Sequence, residues 1–193
     1  LVDVRADGQA RPASEVVRRA DDAVRIARRI GYPVVVKPLD GNHGRGVAIN
    51  LQDEAAVRAA FDEAYDQSRR GYVLVESYIA GKDYRVLVIG GQMTAIAERV
   101  PAHVIGDGVK SVAALVEATN ADPRRGVGHE KVLTRIEVND AAIELVRAQG
   151  YEMTDVPPRG EMVKLALTGN MSTGGISIDR TFEAHPDNID IAE

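Results

Sequence analysis

The chain has 193 residues, a length that suits one domain or two small ones and can bury a sizeable core. Its 45% hydrophobic and 27% charged residues exclude a collagen-like, wholly disordered or disulfide-scaffold chain, and the lack of cysteine removes disulfides and cysteine-ligated zinc. A formal charge of -5, from 24 basic and 29 acidic residues, argues against nucleic acid or an anionic membrane surface as the main partner.

No apolar run approaches the ~20 residues that a bilayer span needs. No signal peptide is visible, so the expected compartment is the cytoplasm. The first residue is Leu1, and Asn188 to Glu193 read as the opening turn of a helix after Asp187. We expect an excised piece of a longer protein.

In chain order, Ser14 reads as an N-cap, followed by Val16, Ala20, Val24, Ala27 and Ile30 at helical spacing and a stop at Gly31. Pro33 to Pro38 reads as a short buried strand, Leu39 to Gly46 as a glycine-rich turn, and Val47 to Asn50 as the returning strand. Asp53 caps a second helix, with Val57, Ala60, Phe61, Ala64 and Tyr65 on one face and Gly71 beyond its end. Tyr72 to Glu76 is a third strand. Tyr84 to Ile89, Gly90-Gly91 and Gln92 to Arg99 form a hairpin. Near Pro101 the pattern changes. Gly106 to Gly108 is a loop, and Ser111 to Asn120 and Asn139 to Gln149 are helical, with a polar stretch from Asp122 to His129 between them. Pro157-Pro158 breaks the chain, Glu161 to Leu167 alternates like a strand, and Gly169 to Gly175 is a second small-residue loop leading into Ile176 to Arg180.

The first glycine loop lets backbone N–H groups approach an anion, with the Lys37 ammonium above it. It reads equally as a hairpin turn beside a solvated lysine. Val47-Ala48 stands where a Walker A loop needs Lys-Ser/Thr, and no third glycine completes a dinucleotide fingerprint. Glu76 ends a strand and can accept from an exocyclic amine. Asp83 and Arg85 share a strand face and can hold ribose and an anion, or simply pair at the surface. Arg99, His103, Arg124 and Arg125 each read as an anion contact or a solvated charge. Asn170 to Gly175 offers an amide, two hydroxyls and a run of accessible backbone N–H groups, or an ordinary turn. The four histidines make no metal-binding pair, and no serine elbow or Cys–His pair supports an acyl-enzyme.

In combination these motifs resemble the ATP-grasp fold and, within it, the cyanophycin synthetase family. The resemblance rests on the run from Gly31 to Gly46, Asp83 to Val88, Ala97 to Gly108, Asp122 to Gly126, Asn170 to Gly175, Asp179 to Thr181 and His185 to Asn188. It implies an α+β fold, a partial ATP-grasp: a nucleotide-binding subdomain over 1–80, and a partial core subdomain over 81–193 with a helical lid-like insertion at about 101–167. It implies that Lys37 and the loop of Gly41, Asn42, His43, Gly44, Arg45 and Gly46 hold ATP phosphates. Glu76 meets the adenine amino group, the backbone of Tyr78 and Ile79 lies at the ring edge, and Asp83 holds the ribose. Arg85, Arg99 and Asn170 are the implied catalytic residues, and His103, Ser172, Thr173, Gly174 and Gly175 bind the acceptor.

The implied activity is ATP-dependent addition of aspartate to the terminal carboxylate of a polyaspartate-backbone polymer, through an acyl phosphate. Partners implied are ATP, magnesium, the polymer, aspartate, a Mur-ligase-like module of the same parent chain and further copies in a homo-oligomer. An earlier phosphate-contacting lysine, usual in the fold, has no counterpart before Lys37, and magnesium ligands are expected beyond Glu193. The fragment alone is therefore expected to be inactive. The alternatives are the ATP-grasp ligase of glutathione synthesis, joining γ-glutamylcysteine and glycine, and a non-catalytic nucleotide-binding module.

Overall fold

Two units divide the chain, Leu1–Gly81 and Lys82–Glu193, in a computed structural model that describes residues 2–4, 10–41, 45–128 and 130–193. In the first unit, Val2–Val4 (β1) and Ala10–Pro12 (β2) pair antiparallel. Ser14–Val17 (β3), Ala20–Ile30 (α1), Val34–Pro38 (β4), Ala48–Leu51 (β5), Glu54–Gln67 (α2) and Val73–Ser77 (β6) follow. Strands β3 to β6 make one antiparallel sheet in the order β3-β6-β4-β5.

Strand parity sorts this sheet into two faces. Val17, Val34, Val36, Val73 and Val75 pack into one cluster with Ala23, Val24, Ile26, Ala27 and Ile30 of α1 and Val57, Ala60, Phe61 and Ala64 of α2. Val35, Lys37, Leu74 and Glu76 alternate to the opposite face. Helix α1 has Asp21 and Asp22 in its first turn and Arg28 and Arg29 in its last, the charge order that favours a helix dipole. Asp53 caps α2 by accepting from Ala56 N–H at 2.8 Å.

The expected helix start at Ser14 is overturned. Ser14–Val17 is a strand registered on β6, from Ser14 opposite Glu76 to Val17 opposite Val73, and α1 begins only at Ala20. Two adjacent β-branched residues suit a pleated surface, and pairing with β6 overrides the capping tendency of serine. Tyr65, placed on the buried face of α2, is instead exposed while stacking on Phe61 with ring centroids 5.7 Å apart.

The second unit comprises Asp83–Ile89 (β7), Gln92–Val100 (β8), His103–Ile105 (β9), Val112–Asn120 (α3), Arg125–Gly126 (β10), Leu133–Thr134 (β11), Asp140–Ala148 (α4), Met162–Lys164 (β12), Ile176–Asp179 (β13) and Pro186–Ala192 (α5). Strands β13, β8 and β7 form an antiparallel sheet in that order. Gly90 and Gly91 have φ of 60° and 80°, the double positive-φ turn that matches the twist of a two-residue hairpin. β9 pairs with β12, and β10 with β11.

A separate core gathers Ala102 and Val104, Val112, Leu115 and Val116 of α3, Ile136, Ala142 and Val146 of α4, and Val163 and Leu165. The Ser111 and Asn139 side chains cap α3 and α4 by accepting from Ala114 and Ala142 N–H. The expected strand at 161–167 shortens to β12, because beyond Lys164 the Leu165 and Ala166 N–H groups both turn onto the Ala102 carbonyl. Among the described residues no helix is long and apolar enough to cross a membrane.

Ile26, 0% exposed on α1, and Val16, 43% exposed on β3, separate the two faces of the first unit experimentally. Ile26→Ala is expected to cost about 2–5 kcal/mol through lost burial and a cavity. Val16→Ala is expected to cost about 1 kcal/mol or less. Urea unfolding of the two variants checks the difference, and equal losses would contradict the strand assignment at 14–17.

Candidate functional site

The face of the first unit's sheet away from its helices carries a cavity of about 300 Å³ lined by Val35, Lys37, Val47, Ile49, Glu76 and the segment Ser77 to Ile79. Its walls are apolar, and its polar groups sit together at one place. Lys37 stands opposite Leu74, so Glu76, two residues further along β6, is its diagonal neighbour on the same face. Lys37 Nζ donates to Glu76 Oε1 at 2.6 Å, with the side chains 35% and 18% exposed. Two groups expected to contact opposite ends of a nucleotide are thus paired with each other. Tyr78 N–H donates to Pro33 O at 3.1 Å, whereas Ile79 N–H has no partner among the described residues.

The glycine loop leaves β4 at Pro38. Asn42, His43 and Gly44 lie outside the described residues, as does His129. At the flanks Gly41 packs on Pro38, Gly46 packs on Gln67 of α2, and Arg45 is exposed. The base of the loop is fastened by Asp40. Its Oδ1 accepts from Ser68 Oγ at 2.7 Å and from Arg69 N–H at 3.2 Å, and Ser68 Oγ accepts in turn from Tyr72 N–H. The Ser68 hydroxyl is the first cause that holds the Asp40 carboxyl below its ordinary range. Nothing in the local sequence marks Asp40, because its partner Ser68 lies 28 residues away.

In the second unit, β7 and β8 register Asp83 opposite Arg99 and Arg85 opposite Ala97, which puts Asp83, Arg85 and Arg99 on one face. These three line a cavity of about 270 Å³ with Thr168, Gly169, Asn170, Met171 and Ser172. The Asp83–Arg85 surface pair does not form. Among the described residues neither arginine has an ion pair, and the Arg99 Nε is buried without a hydrogen-bond partner. Two guanidiniums against one carboxylate make the cavity electropositive, and the side chains of Asn170 and Ser172 add uncharged polar groups.

The loop is more closed than expected. The Asn170 carbonyl accepts from the Thr173 hydroxyl and from the Thr173 and Gly175 N–H groups, and the Gly174 N–H donates to Met171 O. Among the described residues the N–H groups of this run without a partner are those of Asn170, Met171 and Ser172, so the expected run of accessible N–H groups contracts to its leading end. Gly174, at φ 91°, presses on Ile136, where a Cβ would come within 2.8 Å. Of the expected acceptor contacts, Ser172 lines the cavity, while Thr173, Gly174 and Gly175 shape the turn. His103 is not brought to the cavity wall, and its Nδ1–H donates to Pro101 O at 2.7 Å.

The two arginines left open in sequence now part. Arg124 pairs with Asp122 at 2.7 Å. Arg125 is 7% exposed and donates through Nη1 to Thr134 O at 2.6 Å and Gly174 O at 3.0 Å. Among the described residues no group of three or more His, Asp or Glu could hold a metal ion.

Residues 4–151 match the family described as carbamoyl-phosphate synthase L chain, ATP binding domain. The chain belongs to this family. Its α+β architecture is an ATP-grasp fold. It is 47% identical over 183 residues to a cyanophycin synthetase of Synechocystis sp., covering 94% of the chain and 21% of that protein. It is 39% identical over 165 residues to the glutathione biosynthesis bifunctional protein of Mannheimia succiniciproducens, covering 84% of the chain and 22% of that protein. The crystal structure of a bifunctional glutathione synthetase from Pasteurella multocida superposes with a TM-score of 0.56 at 32% identity, covering 94% of the chain and 25% of that structure. The chain spans about a fifth of the length of the curated relatives it matches.

Asp40 makes the stability of this ATP-binding fold pH-dependent. A carboxyl lowered on folding stabilises the fold above its unfolded pKa, near 3.8, and loses that contribution as pH falls through its folded value. Asp40→Asn is expected to lower the Tm at pH 7, and the gap to wild type should narrow below pH 3.8. Thermal melts followed by circular dichroism across pH 7 to pH 3 check the sign.

Proposed function

We propose that this chain is the nucleotide-binding segment of a longer ATP-dependent carboxylate–amine ligase that adds aspartate to the terminal carboxylate of a polyaspartate-backbone polymer. The observation that carries the reading is the cavity in which Arg85 and Arg99, without an ion pair among the described residues, stand beside Asn170 and Ser172. Such a set neutralises a phosphoryl group and a carboxylate, two anions that otherwise repel. Identity of 46–48% to several cyanophycin synthetases, against 36–39% to glutathione bifunctional proteins, favours the polymer over glutathione precursors.

In this reading the apolar cavity of the first unit takes the adenine ring. Glu76 accepts from its amino group, Ile79 N–H meets the ring edge, and Lys37 exchanges its Glu76 partner for a phosphate. Gly41, Arg45 and Gly46 flank the phosphate loop. Asp83 accepts from the ribose hydroxyls. A carboxylate oxygen of the polymer attacks the γ-phosphorus and ADP leaves with the bonding electron pair. The aspartate amine then attacks the acyl carbon, inorganic phosphate departs, and the amine gives up a proton as the amide forms. Arg85, Arg99 and Asn170 stabilise the charge that gathers on the transferring oxygens. The segment 101–167, with its own core, serves as the lid. ATP acts as co-substrate with magnesium, whose ligands are supplied elsewhere in the longer protein, and no step is assigned to the metal here.

ATP-dependent phosphate release by the full-length protein, with a β-Asp-Arg primer plus aspartate, tests the reading. The control is γ-glutamylcysteine plus glycine. Release confined to the first pair is expected. Release confined to the second transfers the assignment to glutathione synthesis, and silence with both overturns the ligase. Lys37→Ala is expected to reduce the rate by orders of magnitude, whereas a non-catalytic nucleotide module would keep its partner interaction. Arg99→Met is expected to cost about 10²–10³ in kcat, the scale of removing one charge-stabilising donor. Steady-state phosphate release measures both variants.

A further inference from the structure

We propose that Arg125 is a positioning residue of the second unit's anion cavity: its buried guanidinium clamps the Gly174 carbonyl and so sets where Asn170 and Ser172 present their polar groups. The proposal rests on the ligase reading for the chemistry it serves. Its geometry stands apart from that reading.

Arg125 is enclosed, yet it makes no ion pair among the described residues. Its Nη1 instead joins two carbonyls from distant parts of the chain, Thr134 O and Gly174 O, 9 and 49 residues away. A buried guanidinium satisfied by backbone alone is a costly device. It is placed where a turn must be held. The bond to Gly174 O is the one hydrogen bond among the described residues that ties the segment 122–136 to the turn 170–175.

On the other side of the clamp, the polar segment is itself fixed. Leu133 N–H donates to Arg124 O, Arg135 N–H to Gly126 O, and Thr134 Oγ1 to Gly128 O. The Asn120 side chain donates to Ile136 O and accepts from Ile136 N–H, and Ile136 is the residue that Gly174 presses on. From Gly174 the constraint passes through the bonds that close Met171 to Gly175 onto the Asn170 carbonyl, and so to the two side chains in the cavity wall. Arg125 does not line the cavity itself, so it acts through the turn and not on the substrate.

The test compares Arg125→Met and Arg125→Lys with wild type in the full-length protein. It uses amide hydrogen exchange, nucleotide affinity and steady-state kinetics with the polymer primer. In Arg125→Met, exchange at Thr173, Gly174 and Gly175 is expected to accelerate by about tenfold or more, the consequence of losing a charge-assisted hydrogen bond. kcat/KM for the primer is expected to fall about ten- to a hundredfold, the penalty of a misplaced catalytic group. ATP affinity is expected to stay within about twofold, because the groups assigned to the nucleoside, Glu76, Ile79 and Asp83, lie outside the turn that Arg125 holds, and Arg125→Lys should recover part of the kinetic loss. Unchanged exchange at 173–175 in Arg125→Met overturns the proposal. So does a parallel fall of ATP affinity and primer kinetics with no recovery by lysine, the pattern of general destabilisation. Where Arg125→Met does not fold, Arg125→Lys carries the same exchange and kinetic comparison. If wild type releases no ATP-dependent phosphate, the ligase reading fails, and the exchange result alone decides whether Arg125 orders the turn.

Discussion

A β-strand shows alternate residues to opposite faces, and the placement of Lys37, Glu76, Asp83, Arg85 and Arg99 depends on that parity. In the first unit Val34 and Val36 on β4, with Val73 and Val75 on β6, go to the core, so Val35, Lys37, Leu74 and Glu76 go to the open face. In the second unit the hairpin register brings Asp83, Arg85 and Arg99 to one side. A slip of one residue in either ladder would exchange polar groups for apolar ones across the sheet. The valines of the first unit fix its register by burial. The second unit relies on its two-glycine turn, with Ile89 opposite Gln92, because every residue of β7 is exposed.

Charge is then handled differently on the two faces of the second sheet. Glu98, between Ala97 and Arg99, alternates to the face opposite the cavity and is 5% exposed. It is held by Lys82 at 3.0 Å and Arg180 at 2.9 Å, and these bonds, that of Lys82 first, keep its carboxyl below the ordinary range. An enclosed carboxylate with two cations is a satisfied structural group. On the cavity side, Arg85 and Arg99 have no such partner among the described residues. Leaving guanidiniums unpaired beside a neutralised neighbour costs electrostatic free energy, which an anionic ligand recovers. Most ion pairs elsewhere are exposed and contribute little. The first unit uses a third arrangement. Lys37 and Glu76 neutralise each other across β4 and β6.

Features set by neighbours in sequence were legible from sequence. Asp53, Ser111 and Asn139 cap helices by accepting from N–H groups three residues on, and Gly90-Gly91 encodes its own turn. The face shared by Asp83 and Arg85 follows from period two alone, and Arg99 joins them once the hairpin closes. Features that depend on distant chain were not legible. Ser14 to Val17 carries a capping residue and helical spacing, yet β6, some sixty residues on, claims it as a strand. Asp40 looks like an ordinary turn residue until Ser68 is seen beside it. Arg125 is indistinguishable from Arg124 in sequence, but one pairs within its own turn and the other is drawn inward by carbonyls that only the tertiary fold brings together.

The small-residue turn at 169–175 shows why a glycine-rich motif is ambiguous evidence for an anion cradle. Glycine can expose backbone N–H groups, and it can also let two backbones meet. Here the second use dominates. Gly169 lies against Arg99, Gly174 against Ile136, and Gly175 against the carbonyls of Asn170 and Val100. Closing the turn consumes the N–H groups of Thr173, Gly174 and Gly175, which narrows the polar surface to Asn170, Met171 and Ser172. A wide cradle would neutralise charge from several directions. This narrower one is directional, and its value depends on where its leading end is held relative to Arg85 and Arg99. The glycines buy that precision by allowing the backbone of the turn to sit directly on β8, the strand that carries Arg99, so the uncharged polar groups and one of the two guanidiniums share a single rigid support.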